Sequence, residues 1–391
     1  MNSTRPHSTG APRVAVVGAG LGGLALAAVL HRHGHPVTVF EREDSPTARG
    51  QGGTLDIRAG SGQVALRAAG LLDRFHALAR PEGQEWRLLD PLTGAARPAA
   101  GPDHDGEVPD LDEESPEIDR GQLRALFLDA LPGGTVRWGH GVGGVTPPGD
   151  GTWRLRLADG TTEDADLVVG ADGTWSRVRP ALSDATPVYT GVTFVETGFD
   201  HCDLRHPGLA RLVGPGTMLA RCDGRAMVAQ RNSDGHIRGY AALRVPEDWH
   251  RVDGPDDQSA IRARLLTAFD GWDEQLRYVL RHNDRPFVHR PLYALPAPHT
   301  WEHAPGVTLL GDAAHLLPPV GLGANLALLD GADLAHALLS EPTVDDAVRA
   351  YEAVMLPRST RAALDCVGAL DGLVPPAATP AAPAGTGVLT P

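Results

Sequence analysis

A strand–helix–strand unit near the N-terminus constrains the fold more than any other feature of this 391-residue chain. The apolar run Val14–Val17 predicts a buried strand, and the periodic apolar residues of Leu21–Arg32 predict the helix that follows it. Residues Val37–Glu41 predict a second strand that runs parallel to the first. Because parallel strands need a crossover helix on one face of the sheet, the sequence predicts an α/β fold of the Rossmann-like type.

The turn between this strand and helix carries Gly18, Gly20 and Gly23 in the spacing GxGxxG. The first glycine permits a tight turn, the second lets the backbone approach a diphosphate, and the third lets helix and strand pack closely. The diphosphate would lie at the helix N-terminus, where free N–H groups and the helix dipole attract an anion. Glu41 ends the second strand at the position expected of a ribose hydroxyl acceptor. The unit therefore predicts a dinucleotide site, and a glycine-rich turn between packed elements is the alternative.

Two further apolar runs also end in glycine and aspartate. One run precedes Asp172, and the other, Val307–Leu310, precedes Asp312. The carboxyl ends of parallel strands lie along one edge of a sheet, and ligands bind at that edge. We therefore expect all three strand ends to contribute to one site.

Between residues 181 and 299, short β-like runs alternate with Asp-Gly turns. Examples are Met218–Arg221, Ala226–Gln230 and Ile237–Val245. This pattern predicts an antiparallel sheet. Because it separates two segments of the nucleotide-binding unit, we interpret it as an inserted substrate domain.

Composition excludes several classes of function. With 35 basic and 49 acidic residues, the net charge is −14, which argues against a nucleic-acid or anionic-membrane partner. The three cysteines form no CxxC pair and the 17 histidines show no ligand spacing, so no metal site is expected. The first residues lack the apolar core of a signal peptide, and a cytoplasmic protein is expected.

The three strand ends together resemble the fingerprints of class A FAD-dependent aromatic hydroxylases of the para-hydroxybenzoate hydroxylase type. The resemblance runs from Val14 to about Leu373. It implies a discontinuous FAD-binding domain of residues 11–72, 101–180 and 300–373 that ends in a C-terminal helix. The substrate domain, with a mostly antiparallel sheet, would comprise residues 73–100 and 181–299. Residues 1–10 and 375–391 have little to bury and are expected to be disordered tails.

This resemblance also implies an activity. In the family, NAD(P)H reduces non-covalently bound FAD, dioxygen forms a flavin C4a-hydroperoxide, and its distal oxygen passes to an electron-rich substrate. The expected substrate is an aromatic or polycyclic small molecule, similar to a polyketide or a tetracycline, and the protein is expected to be a monomer. Two alternatives stay open. One is a flavin-dependent dehydrogenase or reductase without oxygen insertion, and the other is a non-catalytic flavoprotein that sequesters a planar ligand.

A closer resemblance, to the tetracycline-inactivating (TetX-like) monooxygenases, lies in Gly52–Gln63, Pro116–Arg124 and Pro246–Trp249. The residues that it assigns to cofactors are Glu41 and Arg42 at the adenosine ribose, Asp56 and Arg120 at FAD, and Arg49 at NADPH. A structural ion pair is the alternative for Asp56 and Arg120. A solvent-exposed loop residue is the alternative for Arg49.

The aromatic-hydroxylase resemblance assigns further roles at the second and third strand ends. Asp312 would hold the ribityl hydroxyls of FAD, and Asp172 would belong to the same cofactor site. The helix start at Gly323 and Asn325 would face the pyrimidine edge of the flavin, where its N–H groups would stabilise negative charge. His315, close to Asp312, is expected to pack structurally rather than to act as an acid or base.

Substrate contacts are expected between the flavin and the sheet formed by residues 190–245. Alignment with the tetracycline-inactivating enzymes puts their substrate-binding arginine near Thr217, their histidine near Arg238 and their glutamine near Val195 or Glu196. None of these side chains is retained, and Pro318 is the third residue expected at the substrate. A pocket built to hydrogen-bond a polar substrate discriminates through such groups. We therefore expect a polycyclic or phenolic substrate, with tetracycline a weaker one.

Overall fold

The computed structural model describes residues 11–97, 114–149, 151–249 and 257–377. Its strands are β1 (Val14–Val17), β2 (Val37–Phe40), β3 (Thr54–Asp56), β4 (Trp86–Leu89), β5 (Glu117–Asp119), β6 (Val136–Arg137), β7 (Val142–Thr146), β8 (Trp153–Leu157), β9 (Thr162–Ala165), β10 (Leu167–Gly170), β11 (Val188–Phe199), β12 (Thr217–Cys222), β13 (Arg225–Arg231), β14 (Ile237–Arg244), β15 (Val288–Ala294) and β16 (Val307–Leu309). Its helices are α1 (Leu21–Arg32), α2 (Gly62–Ala69), α3 (Leu72–Leu78), α4 (Arg120–Asp129), α5 (Cys202–Arg205), α6 (Pro207–Val213), α7 (Gln258–Ala268), α8 (Glu274–Arg281), α9 (Asp312–His315), α10 (Gly323–Ser340) and α11 (Val344–Leu373).

A parallel sheet with the order β16-β10-β1-β2-β6 forms the base of the predicted FAD-binding domain. The predicted strand–helix–strand unit is confirmed, with α1 at the predicted residues. Residues Leu21–Leu30 of α1 are all buried, which fits a helix that is apolar on every side. The carboxyl ends of β1, β10 and β16 are adjacent, so the three strand ends predicted to form one site lie together.

The second sheet has the order β15-β11-β14-β13-β12-β4. It is antiparallel except between β12 and β4, which confirms a mostly antiparallel substrate sheet. One face packs against α6, α7 and α8 through an apolar cluster that includes Phe199 and Leu276. The opposite face carries Phe194 and Tyr240 and packs against the end of α11 at Leu370. This opposite face is called the inner face below.

The C-terminal helix α11 joins the two sheets. The hydroxyl of Tyr351 donates to Leu309 O in the parallel sheet at 2.9 Å, while Leu370 packs on the inner face of the antiparallel sheet. Beyond this helix the backbone contacts the substrate sheet, since Gly224 N donates to Pro375 O at 2.7 Å. Pro375, the first residue of the predicted tail, therefore contacts the substrate sheet, and the disorder of the tail stays a prediction.

Some predicted boundaries fall differently in the structure or outside it. Phe75 of α3 packs in the core of the parallel sheet, although residues 73–100 were assigned to the substrate domain, whereas Trp86 in β4 does join the substrate sheet. Residues 1–10 and 378–391, on which the remaining tail predictions fall, lie outside the described residues, as do residues 101–113. The domain limits stay predictions. Within the described ranges, no helix has the length and apolar character to cross a bilayer.

Candidate cofactor and substrate site

The glycine loop after β1 has the geometry that its spacing predicts. Gly18 has φ +104°, and a Cβ built on it would lie 2.5 Å from Ala171 O. A Cβ on Gly23 would collide with Gly18 O, which shows how closely α1 packs on the loop. A Cβ on Gly20 would meet only Ala171 O, at 3.8 Å. Two of the glycines are therefore needed for packing, whereas Gly20 leaves open space before the N-terminus of α1, where a diphosphate fits.

Glu41 lies at the edge of this loop and is buried. Its Oε2 accepts from Ala19 N at 2.7 Å, and its Oε1 accepts from Glu43 N at 2.9 Å. The carboxylate thus orders the glycine loop and stands beside the space left by Gly20. Arg42 is exposed at the same edge. Their contacts with a ribose stay predictions.

Arg124 is a residue of this region for which the sequence predicted no role. It is 4% exposed, its Nε donates to Ala19 O at 3.1 Å and its Nη2 pairs with Glu43 at 3.2 Å. Glu43 also pairs with Arg49, so the predicted NADPH residue is held by a neighbour in its own loop. The sequence could have indicated this role, because Arg124 lies four residues after Arg120 and the two residues therefore share one face of α4.

The two-stranded antiparallel sheet of β3 and β5 forms a second side of the site. It carries Asp56, and Arg120 follows β5 as the first residue of α4. Asp56 pairs with Arg58 at 3.2 Å, and burial raises the pKa of Asp56 although Arg58 opposes the shift. Asp56 thus takes part in a structural ion pair, with Arg58 and not with Arg120. Arg120 is exposed, although protein atoms surround much of its charged group, and no described residue forms a hydrogen bond with its guanidinium. Loss of solvent around it lowers the pKa of Arg120, and the charge of Asp312 opposes this.

Asp312 begins the short helix α9 directly after Gly311. Its Oδ1 would lie 3.8 Å from a Cβ built on Gly323, so the carboxylate faces the start of α10. Among the described residues, none donates a hydrogen bond to this carboxylate. The turn itself is fixed by Arg179, which donates to Asp312 O at 3.1 Å and to Ala313 O at 2.8 Å. A carboxylate with free oxygens at this position can accept hydrogen bonds from the hydroxyl groups of a polyol chain.

Asp172 and Asn325 use their side chains within the protein. The Asp172 carboxylate accepts from Ser176 Oγ and from Arg177 N, both at 2.6 Å, and so shapes its own loop. Asn325 is 2% exposed, and its Oδ1 accepts from Arg58 N at 3.0 Å. Its Nδ2 donates to Asp56 O at 2.8 Å. The N–H groups of Gly323 to Asn325 precede the first helical hydrogen bond of α10, so the helix start offers backbone donors while the Asn325 side chain holds the neighbouring loop.

The inner face of the substrate sheet lies against the two-stranded β3–β5 sheet. A Cβ on Gly53 would meet Tyr240 Oη at 2.8 Å and Gln230 Oε1 at 3.3 Å. Arg238 on the same face pairs with Glu196, which also pairs with Arg290 at 3.3 Å. The face therefore combines aromatic surface with an acid between two arginines.

The three residues predicted to contact substrate differ in their surroundings. Arg238 is engaged by Glu196, and Thr217 is fully buried with its hydroxyl 3.4 Å from Gln230 Nε2. Pro318 is half-buried in the segment before α10. Their roles stay predictions. His315 is buried and pairs with Asp330 at 2.6 Å, in agreement with a structural role.

Comparison with known proteins agrees with this geometry. Residues 12–363 match the family model described as "FAD binding domain", and the chain belongs to this family. Monooxygenase penA of Penicillium thymicola is 30% identical over 90% of this chain and 92% of its own. The 3-amino-4-hydroxybenzoate 2-monooxygenase of Streptomyces cremeus is 33% identical over 89% of this chain and 84% of its own.

Solved structures share the fold. HpxO of Klebsiella pneumoniae, complexed with FAD and uric acid, has a TM-score of 0.75 at 20% identity and covers 92% of this chain and 88% of its own. Tetracycline destructase Tet(55) has a TM-score of 0.71 at 20% identity, with 95% and 92% covered. The predicted class is thus confirmed. The chain is a class A flavin monooxygenase that depends on FAD, with NAD(P)H as reductant and dioxygen as the source of oxygen.

Proposed function

We propose that this protein hydroxylates an aromatic or polycyclic, polyketide-like molecule bound between the FAD site and the inner face of the substrate sheet. The observation that supports the proposal is that three features lie close together. Asp312 has free carboxylate oxygens, Arg120 has an unbonded guanidinium, and Tyr240 on the inner face borders the small β3–β5 sheet, which Arg120 directly follows. A relative named for a hydroxybenzoate substrate supports the aromatic class.

The chain offers groups for each part of FAD. The space before Gly20 suits the diphosphate, and the Asp312 carboxylate suits the ribityl hydroxyls. The N–H groups at the start of α10 suit the pyrimidine edge, because a helix N-terminus stabilises negative charge there. FAD, when bound, supplies the redox chemistry of NAD(P)H oxidation and dioxygen activation.

The protein residues then bind, orient and shield the substrate. The half-buried ring of Tyr240, whose centroid is 5.8 Å from that of the buried Phe194, would offer flat apolar area to a planar molecule. Burial raises the pKa of Tyr240 to about 12, so its hydroxyl stays protonated and can donate to a phenolic or carbonyl oxygen. Glu196, with Arg238 and Arg290, would form the polar end of the pocket.

Reductant, assembly and location complete the proposal. Arg49 is exposed beside Glu43 and would contact the phosphate of NADPH during reduction. Cys202, Cys222 and Cys366 are all free thiols, which supports a reducing cytoplasm. The enzyme would act there as a monomer.

The test follows NADPH oxidation and product mass with the purified flavoprotein. Aromatic polyketides, a hydroxybenzoate and tetracycline are compared at equal concentration, and NADH is tested in parallel. We expect products heavier by one oxygen atom, with polycyclic phenols preferred over tetracycline. Oxidation of the substrate without a gain in mass would instead indicate a dehydrogenase. Equal turnover of tetracycline would contradict the proposed preference while leaving oxygen insertion intact.

A further inference from the structure

A buried carboxylate lies behind the turn that carries Asp312. Asp330 on α10 is fully buried, and its Oδ2 accepts from Gly311 N at 3.0 Å and from His315 Nε2 at 2.6 Å. Its Oδ1 accepts from Arg358 Nη2 on α11 at 2.9 Å. One side chain therefore bonds both ends of the turn that contains Asp312 and ties that turn to two long helices.

The Gly311–Asp312 turn needs such support because its backbone is unusual. Gly311 has φ +58° and ψ −144°, and a Cβ there would lie 3.0 Å from Ala327 Cβ. Its N–H points away from the cofactor space toward Asp330, while the Asp312 carboxylate points toward Gly323. A rotation of the peptide before Gly311 would break the bond to Asp330 and move Asp312.

Charge explains how an acid can be buried here. The positive charges of His315 and Arg358 face Asp330, and Arg358 is shared with Asp333 at 2.7 Å. Burial opposes ionisation, but these cations and the Gly311 N–H hold the pKa of Asp330 below its usual range. Loss of one partner of a buried ion pair is costly, because the charge that remains is left uncompensated.

We infer that Asp330 is a positioning residue for FAD, which it never touches, because it fixes the turn that presents Asp312 to the cofactor. The inference rests on the proposed contact between Asp312 and the ribityl chain. Asp330 would then determine FAD affinity through Asp312 alone, and the effects of changing the two residues would not add.

The experiment measures the FAD dissociation constant of the apoprotein by quenching of flavin fluorescence. Asp330→Asn keeps the shape of the side chain but has only one acceptor oxygen. In the native protein, the two oxygens of Asp330 accept hydrogen bonds from three donors. We expect FAD affinity to fall roughly tenfold or more. The matched control is Asp333→Asn, because Asp333 also pairs with Arg358 but does not contact the turn. The FAD affinity of this variant should stay within about twofold of that of the unchanged protein. Equal losses in both variants would overturn the inference.

A double-mutant cycle separates positioning from general destabilisation. Asp312→Ala should weaken FAD binding, and adding Asp330→Asn to it should cost little more. Additive losses would overturn the inference. No loss in Asp312→Ala alone would refute the proposed role of Asp312 and the inference with it, whereas a loss there with none in Asp330→Asn refutes the inference only. If Asp330→Asn does not fold, the charge-balanced variant Asp330→Asn with Arg358→Gln takes its place, with the same expected loss.

Discussion

The glycine loop after β1 and the inner face of the substrate sheet are built in opposite ways. The loop exposes main-chain groups, and Gly18 and Gly23 have almost no room for a side chain. The inner face is made of side chains on strands of the substrate sheet, among them β11, β13 and β14. Glu196 on β11 lies directly opposite Tyr240 on the neighbouring strand β14. The loop can therefore bind a group common to a whole family, whereas the inner face can change with each side chain.

This difference teaches where variation is tolerated. Backbone donors at a helix N-terminus recognise phosphate whatever the neighbouring side chains are. Specificity for a substrate needs particular polar partners, because an unmatched buried group costs binding energy. We thus expect changes in the loop to affect folding or FAD, and changes on the inner face to affect substrate only.

The largest effect should come from Gly18→Ala. The new Cβ would need φ +104° and would lie 2.5 Å from Ala171 O, so strain and overlap add. We expect a loss of roughly 3 kcal/mol or more of unfolding free energy, measured by urea denaturation of the apoprotein. Gly34→Ala is the control, since Gly34 has φ +77° but open space. Equal losses at both positions would show that strain alone decides.

The next effect separates folding from cofactor binding at Gly20. Its φ of −77° and ψ of 175° suit any residue, and its Cβ direction is open. Gly20→Val should keep the apoprotein stable but lower FAD affinity at least roughly a hundredfold, because the side chain would occupy the diphosphate space. Gly133→Val, also in open space, serves as the control. Normal FAD retention in Gly20→Val would place the diphosphate elsewhere.

Glu117 tests the junction between the two regions. It is 5% exposed on β5, and burial raises its pKa to about 7. The unfolded chain releases this proton near its ordinary pKa and the folded chain only near 7. Stability should therefore fall by up to about 3 kcal/mol as the pH rises from about 4.5 to about 7, and no further above it. Glu117→Gln should remove this decline in thermal or urea unfolding, whereas exposed Glu82→Gln should retain it.

The smallest effect should be confined to substrate. Glu196→Gln leaves Arg238 and Arg290 without their shared acid, so the KM for an acidic aromatic substrate should fall roughly tenfold relative to the KM for a neutral analogue. FAD affinity should be unchanged. Glu163→Gln removes an acid paired with Arg137 outside the site and is the control. A change in the FAD affinity of Glu196→Gln would contradict the expectation that changes on the inner face affect substrate binding only.

The sequence predicted features that depend on neighbouring residues better than contacts between distant ones. Residues Leu21–Arg32 were predicted as the helix that the structure shows, and the three strand ends meet as expected, because glycine spacing and apolar periodicity are local properties. The sequence offered a structural ion pair as the alternative for Asp56 and Arg120, and it did not identify Arg58, two residues along the chain, as the partner of Asp56. The role of the Asn325 side chain depends on a loop more than 260 residues away in sequence.

The sequence by itself determined the parallel sheet, the glycine loop and the membership of a flavin-binding class, since each depends on residues close together in the chain. Only the tertiary structure decided that Asp330 supports Gly311 and that Arg124 holds the glycine loop. It also decided that Glu196 lies between two arginines. These contacts join separate elements, and their partners are selected by packing and charge across the assembled core, which no local pattern encodes.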